Sequence, residues 1–317
     1  MKTSAIVRIV MWSVLAVFLT GVLCIGITKP DWLPGKFSVG NGISGLKSAL
    51  DYPESESYTV GEGSVSADQI QEIEIHWSAG KVHICTYDGE RVRFWEDDGL
   101  AEDDQMRYLV RDGKLTIQYR KPFFLFGFSN TGSLPKELSV EIPESMAAKM
   151  DLKTLEVETA SAGISAENLR CGEINLTAVS GRIVLEQVAC NKADLETVSG
   201  EITAVNVEAE RLSANMVSGA AALEGSFAEI DTEGVSGACE VRSAVCPESV
   251  NMETVSGNVS LSIPENKGFT AEIETVSGDF DCDFATTGRK SRYQYGSGGA
   301  EFDFESVSGD IRILKNN

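Results

Sequence analysis

From Ile174 to Ile313 the chain alternates apolar and polar positions in short runs, and the runs break at a recurring Ser-Gly. Two and four places after each of those glycines stand Ile183 and Leu185, Ile202 and Ala204, Ala221 and Leu223, Cys239 and Val241, Val259 and Leu261, Phe280 and Cys282, then Ile311 and Ile313. Seven and five places before each glycine stand Ile174 and Leu176, Ala193 and Leu195, Leu212 and Ala214, Ile230 and Thr232, Val250 and Met252, Ala271 and Ile273, then Phe302 and Phe304. A period of two in both halves of each unit, with no helical period, predicts two short half-buried strands joined at a bend.

The bend is a Val-Ser-Gly triplet. It recurs at Ser180-Gly181, Ser199-Gly200, Ser218-Gly219, Ser236-Gly237, Ser256-Gly257, Ser277-Gly278 and Ser308-Gly309, with a weaker Ser161-Ala162-Gly163 one step upstream. The glycine spacings are 18, 19, 19, 18, 20, 21 and 31 residues, too regular for a mixed α/β enzyme and too short for a helix-pair repeat. Glycine suits a bend because it reaches positive φ at little steric cost, and a serine hydroxyl can bond nearby backbone groups. One such unit cannot cover its own apolar side, so successive units must stack, each pairing its strands in parallel with those of the next. The expected fold is therefore all-β, a parallel β-solenoid of the single-stranded β-helix kind. Eight coils would make a rod roughly 35 to 40 Å long. A β-sandwich is the alternative, since period two does not choose between parallel and antiparallel pairing, but fixed in-register columns favour stacking. The last gap leaves room for an insertion, Thr286 to Gly299, which reads as a loop.

Ahead of the repeats the pattern changes twice. Ile9 to Thr28 is an uncharged run of 20 residues between Arg8 and Lys29, long enough to cross a bilayer as a helix. Lys2 and Arg8 lie on an acid-free arm before it, which by the positive-inside tendency places residues 1–8 in the cytoplasm and the rest outside. A cleaved signal peptide is the competing reading, but no small-x-small site follows the run, and Cys24 lacks the small preceding residue of a lipoprotein signal. Residues 29–68, rich in Gly, Ser, Asp and Glu, read as a flexible stalk. Residues 69–158 carry strand-like runs, Ile70–Trp77, Lys81–Thr86, Arg91–Trp95, Gln105–Val110, Leu115–Tyr119 and Leu138–Ile142, without the strict triplet. They read as the degenerate start and cap of the same rod, ahead of the regular repeat of residues 159–317.

These features together resemble a known family. An Ile-x-Ile strand, a Gly-x-Val-x-Ile strand, Leu138 to Pro143, and units such as Thr197-Val198-Ser199-Gly200-Glu201-Ile202 and Thr275-Val276-Ser277-Gly278-Asp279-Phe280 look like the bacterial adhesin-like domain of unknown function, over about residues 60 to 315. The resemblance implies a repeat-built β fold at the cell surface. It carries no catalytic residues.

Charge narrows the function. A net charge of −21 excludes a phosphate-binding surface, so nucleic acid is not an expected partner. Four places before successive glycines stand Thr177, Glu196, Asn215, Glu233, Glu253, Glu274 and Glu305, an outward ladder whose consecutive acidic rungs are expected to be Glu233, Glu253 and Glu274. Like charges on neighbouring strands repel, so the ladder is either a solvated face that keeps a long sheet soluble or a weak candidate for divalent cations. It lacks the glycine-rich acidic nonapeptide of calcium-binding solenoids. Cys171 and Cys190 each stand ten residues before their glycine, at the same point of adjacent coils, where a disulfide is geometrically possible. Phe123, Phe124, Phe126 and Phe128 form the most apolar stretch outside residues 9–28, either a plug over the open end of the rod or a partner patch.

No serine elbow, histidine metal pair or phosphate loop is present, and no cofactor is implied. The repeated serines have no recurring histidine to activate them. Asp279, Asp281 and Asp283 form the one carboxylate cluster that suggests a carbohydrate-active solenoid. The expected function is thus a non-catalytic, membrane-anchored adhesin or scaffold that binds an envelope protein or surface glycan. A glycan-cleaving solenoid and a calcium-stiffened spacer are the alternatives.

Overall fold

The structure, a computed structural model, describes residues 55–120, 134–289 and 291–316. The segments read as cytoplasmic arm, membrane helix and phenylalanine patch lie outside the described residues. Among the described residues no helix is long and apolar enough to cross a membrane.

The fold is all-β. Before the repeat come β1 (Thr59–Val60), β2 (Gly63–Ser66), β3 (Glu72–Tyr87), β4 (Arg91–Glu96), β5 (Arg107–Arg111), β6 (Lys114–Gln118), β7 (Lys136–Pro143) and a short helix α1 (Glu144–Lys149). The repeat supplies β8 (Thr154–Glu167), β9 (Arg170–Ala178), β10 (Ile183–Glu186), β11 (Ala189–Thr197), β12 (Ile202–Ser218), β13 (Ala221–Ser236), β14 (Cys239–Ser243), β15 (Ser249–Ser256) and β16 (Val259–Ile263). The last unit-pair contains β17 (Gly268–Ser277), β18 (Phe280–Cys282), β19 (Thr287–Arg289), β20 (Arg292–Gly296), β21 (Ala300–Ser308) and β22 (Ile311–Lys315).

Each unit contributes to two parallel ladders. Before the glycine, Leu155, Ile174, Ala193, Leu212, Ile230 and Val250 are register partners in succession. After it, Ile164, Ile183, Ile202, Ala221, Cys239 and Val259 do the same. All these side chains are buried, each branched aliphatic worth about 1.5 to 3 kcal/mol of transfer from water. Parallel pairing is what separates this arrangement from a sandwich. A short third side joins the ladders, where Cys171, Cys190 and Ala209 align.

The order of layers departs from chain order at the end. β15 pairs with β21 rather than β17, and β16 with β22, while β17 and β18 flank that last unit on its other side. The residues 286–299, expected to be a loop, hold the hairpin β19–β20, whose second strand pairs antiparallel with β17. Positive φ at Gly296, Gly298 and Gly299 then turns the chain back, and it enters the slot between β15 and β17. Phe302 fills that slot, its ring stacked on Phe269 with centroids 4.8 Å apart.

Residues 69–158 form the start of the same stack, with its cap at the outer end. β3 lies in parallel between β8 on one side and β6 with β7 on the other. Beyond these, β4 and β5 run antiparallel and close the end. Thr59–Val60 and Gly63–Ser66, expected within the stalk, are strands paired to β5 and β4.

Candidate functional site

The acidic face of the first ladder is the most extensive chemical feature of the molecule. Its leading column runs Gln118, His76, Glu158, Thr177, Glu196, Asn215, Glu233, Glu253, Glu305 and Glu274. Glu305 therefore stands between Glu253 and Glu274, which were expected to be neighbours, because the last unit occupies the slot between β15 and β17. A second column two residues earlier carries Glu74, Glu156, Asn175, Asp194, Ser213, Asp231, Asn251, Asp303 and Glu272.

Stacked strands hold such side chains about 4.8 Å apart, so the wall needs local relief. Asn251 Nδ2 donates to Asp231 at 2.9 Å and Glu253 at 3.3 Å. Lys192 lies 3.0 Å from Glu173 and 3.5 Å from Asp194, and Arg211 lies 2.6 Å from Glu229. Two carboxyls still move upward: burial, then the charges of Glu253, Asp231 and Glu196, raise Glu233. Burial followed by Asp194 does the same to Glu196. Among the described residues no three of His, Cys, Asp and Glu converge to hold a metal.

His76 stands next to the last rung, Gln118, and is the functional group the sequence reading missed. Its Nδ1 is 3.1 Å from Glu158 and its Nε2 3.3 Å from Glu74. Burial alone would lower the imidazole, but hydrogen bonds and charge from Glu158 and Glu74 outweigh it and raise it to about 9. In turn burial would raise Glu74, yet hydrogen bonds from His76 and Lys114 bring it down to about 2. The signal was a lone histidine between the apolar Ile75 and Trp77.

The triplets have structural jobs. Ser180, Ser199 and Ser236 donate their hydroxyls to the carbonyls of Ala160, Val179 and Val217 in the preceding coil. Thr197 accepts the Gly200 N–H at 2.8 Å. Glycine itself is needed less for positive φ than for room. A Cβ on Gly181, Gly200, Gly219, Gly237, Gly257, Gly278 or Gly309 would stand 1.5 to 2.1 Å from a carbonyl oxygen of the adjacent coil.

Cys171 and Cys190 are direct register partners, as expected, and both thiols are unbridged and buried. Burial raises both, Cys190 to about 12. Of the carboxylates in and beside β18, Asp283 serves the fold by accepting the Lys315 N–H at 3.0 Å, while Asp279 and Asp281 are exposed, Asp281 as the register partner of Arg312. A second unforeseen feature is Lys136, buried between Trp77 and Tyr119 with its Nζ 4.7 and 4.3 Å from their ring centroids. It is 2.5 Å from Glu96 and donates to the Asp104 carbonyl at 2.7 Å, pinning the first layers together. No local sequence pattern marks it. A groove of about 800 Å³ runs along the other ladder past Asn206, Gly225, Arg242, Ser262 and Lys315, opening where β12 shifts register after Ala204.

The fold so described is an all-β stack of parallel, in-register layers with an acidic wall. The chain belongs to the Toastrack family, DUF4097, a domain of unknown function whose model matches residues 70–314. No curated protein matches it. Among solved structures it is similar to a candidate adhesin from Parabacteroides distasonis, with 13% identity, a TM-score of 0.42, and coverage of 81% of this chain and 97% of that one. A candidate adhesin from Bacteroides fragilis matches with 12% identity, a TM-score of 0.41 and the same coverages. A protein of P. distasonis described as a candidate lipid-binding protein matches with 17% identity and a TM-score of 0.41, over 81% of this chain and 96% of that one.

Proposed function

We propose that the chain is a non-catalytic, membrane-anchored, adhesin-like scaffold. In this reading the parallel layers form a β-solenoid, residues 9–28 anchor it with the N-terminus in the cytoplasm, and the acidic wall faces an envelope protein or a surface glycan. The observation that carries it is the wall: two carboxylate-rich columns held at a fixed strand spacing across the whole stack. A rigid, repetitive, charged face suits multivalent recognition, where contacts at a fixed spacing add up. The adhesin names attached to similar structures agree with such a role, and the apolar run supports the anchor.

Cross-linking the full chain in native envelopes, followed by mass spectrometry and glycan analysis, tests this. Saturable capture of one intact protein or glycan is expected, reduced at least tenfold when Glu233, Glu253 and Glu274 become Gln. Shortened glycan products would instead establish a carbohydrate-active enzyme. Absence of capture would leave a structural spacer.

A further inference from the structure

The two ends of the stack are not equivalent. At the first end β4 and β5 cover both ladders. At the other, β20 covers only Gly268 to Glu272 of β17, with Ile273 N–H donating to Ser291. Among the described residues, Glu274 to Ser277 and all of β18 pair on one side alone.

The hydrogen bonds of the earlier coils show what is left over. The N–H groups of Gly219, Gly237, Gly257 and Gly309 donate to Ser236, Ser256, Ser308 and Ser277 of the next layer. Two residues further on, those of Ala221, Cys239, Val259 and Ile311 donate to Ala238, Asn258, Asp310 and Asp279. In the terminal coil the equivalent donors belong to Gly278 and Phe280, and no further described coil receives them. The triplet valines tell the same story. Those of the inner coils are half-buried, whereas Val276 is 60% exposed.

We propose that this edge takes up an extended basic segment of a partner protein as one more parallel strand along residues 274–282. The free donors and the uncovered valine call for a β-strand rather than a helix or a flat surface. Glu274, Asp279 and Asp281 along the edge select lysine or arginine in that strand. A second copy is disfavoured because identical acids would face each other on a chain of net charge −21. The described residues that border the two long undescribed segments, Ser55, Arg120 and Leu134, lie beside β1, β6 and β7 at the opposite end. The inference concerns the end of the stack, which shares only Glu274 with the wall.

The test uses the full chain in a mild non-ionic detergent and three decapeptides: alternating Val and Lys, the same peptide N-methylated at every second residue, and alternating Val and Glu. Saturable binding of the first is expected, at least tenfold weaker for the N-methylated form and absent for the acidic one. Amide exchange should slow at Gly278 and Phe280 on binding. Asp279→Lys with Asp281→Lys should abolish binding, while Glu233→Gln with Glu253→Gln should leave it intact, which separates this edge from the wall. Equal binding of the N-methylated peptide, unchanged exchange at Gly278 and Phe280, or self-association of the chain through this edge would overturn the proposal.

Discussion

The carbonyl oxygen of Gly181 lies 2.0 Å from the place a Cβ on Gly200 would occupy. The same contact recurs from coil to coil, so the glycine column is a backbone-to-backbone seam with no space for a methyl group. Gly163, at the upstream end, differs: its nearest neighbour would be the Arg182 carbonyl at 3.6 Å, an ordinary contact.

Gly200→Ala should therefore cost about 2 kcal/mol or more by forcing the coils apart, whereas Gly163→Ala should stay within about 0.5 kcal/mol. Urea denaturation of the two variants checks this. Equal effects would mean that backbone conformation rather than space selects glycine.

Stability should fall as pH rises from mildly acidic to alkaline. His76 is raised from 6.5 to about 9, so its stabilisation is full below about 6.5 and is lost as pH climbs through 9. Glu233 and Glu196 are raised as well. As carboxyls they bind more protons folded than unfolded just above pH 4.5, so deprotonation there also weakens the fold. Glu74, lowered to about 2, works the other way, as does Glu265, lowered by hydrogen bonds from Lys315 and Tyr295, and their contribution disappears below the usual carboxylate range. The melting temperature should peak near pH 5 and decline toward pH 9. In His76→Ala the decline above pH 6.5 should flatten, at a cost near neutral pH of about 2 to 4 kcal/mol from leaving Glu74 and Glu158 without their shared cation.

Ending the chain at Gly299 removes a middle layer, not a terminal one, because β21 and β22 lie between β15–β16 and β17–β18. Hydrogen exchange should show loss of protection in β15 to β18, with β8 to β12 still protected. If only the last few amides became exposed, the layer order described above would be wrong.

Much of the architecture was legible because the apolar columns, Ile183 and Leu185 with their counterparts, are spaced by the strand repeat itself. The order of the last layers was not. A gap of 31 residues between Gly278 and Gly309 says that something is inserted, but local spacing cannot say on which side the chain returns. The alternation Arg292-Tyr293-Gln294-Tyr295 did mark a strand, hidden in a stretch rich in glycine and serine. The roles of His76, marked only as a lone histidine between apolar residues, and of Lys136, not marked at all, were hidden for another reason: each is placed by partners from remote strands, Glu158 for one and Glu96 for the other. Local pattern carries no record of such meetings.

The position of β21 and β22 also sets a timetable for synthesis. A repeat protein ordinarily closes layer by layer as the chain emerges, N-terminal part first. Here β21 and β22 are made after β17 and β18 yet occupy the slot before them, so β17 and β18 must wait, unseated, until residues 300–315 have emerged. A chain halted before Ala300 holds its terminal layer without the one it stacks on.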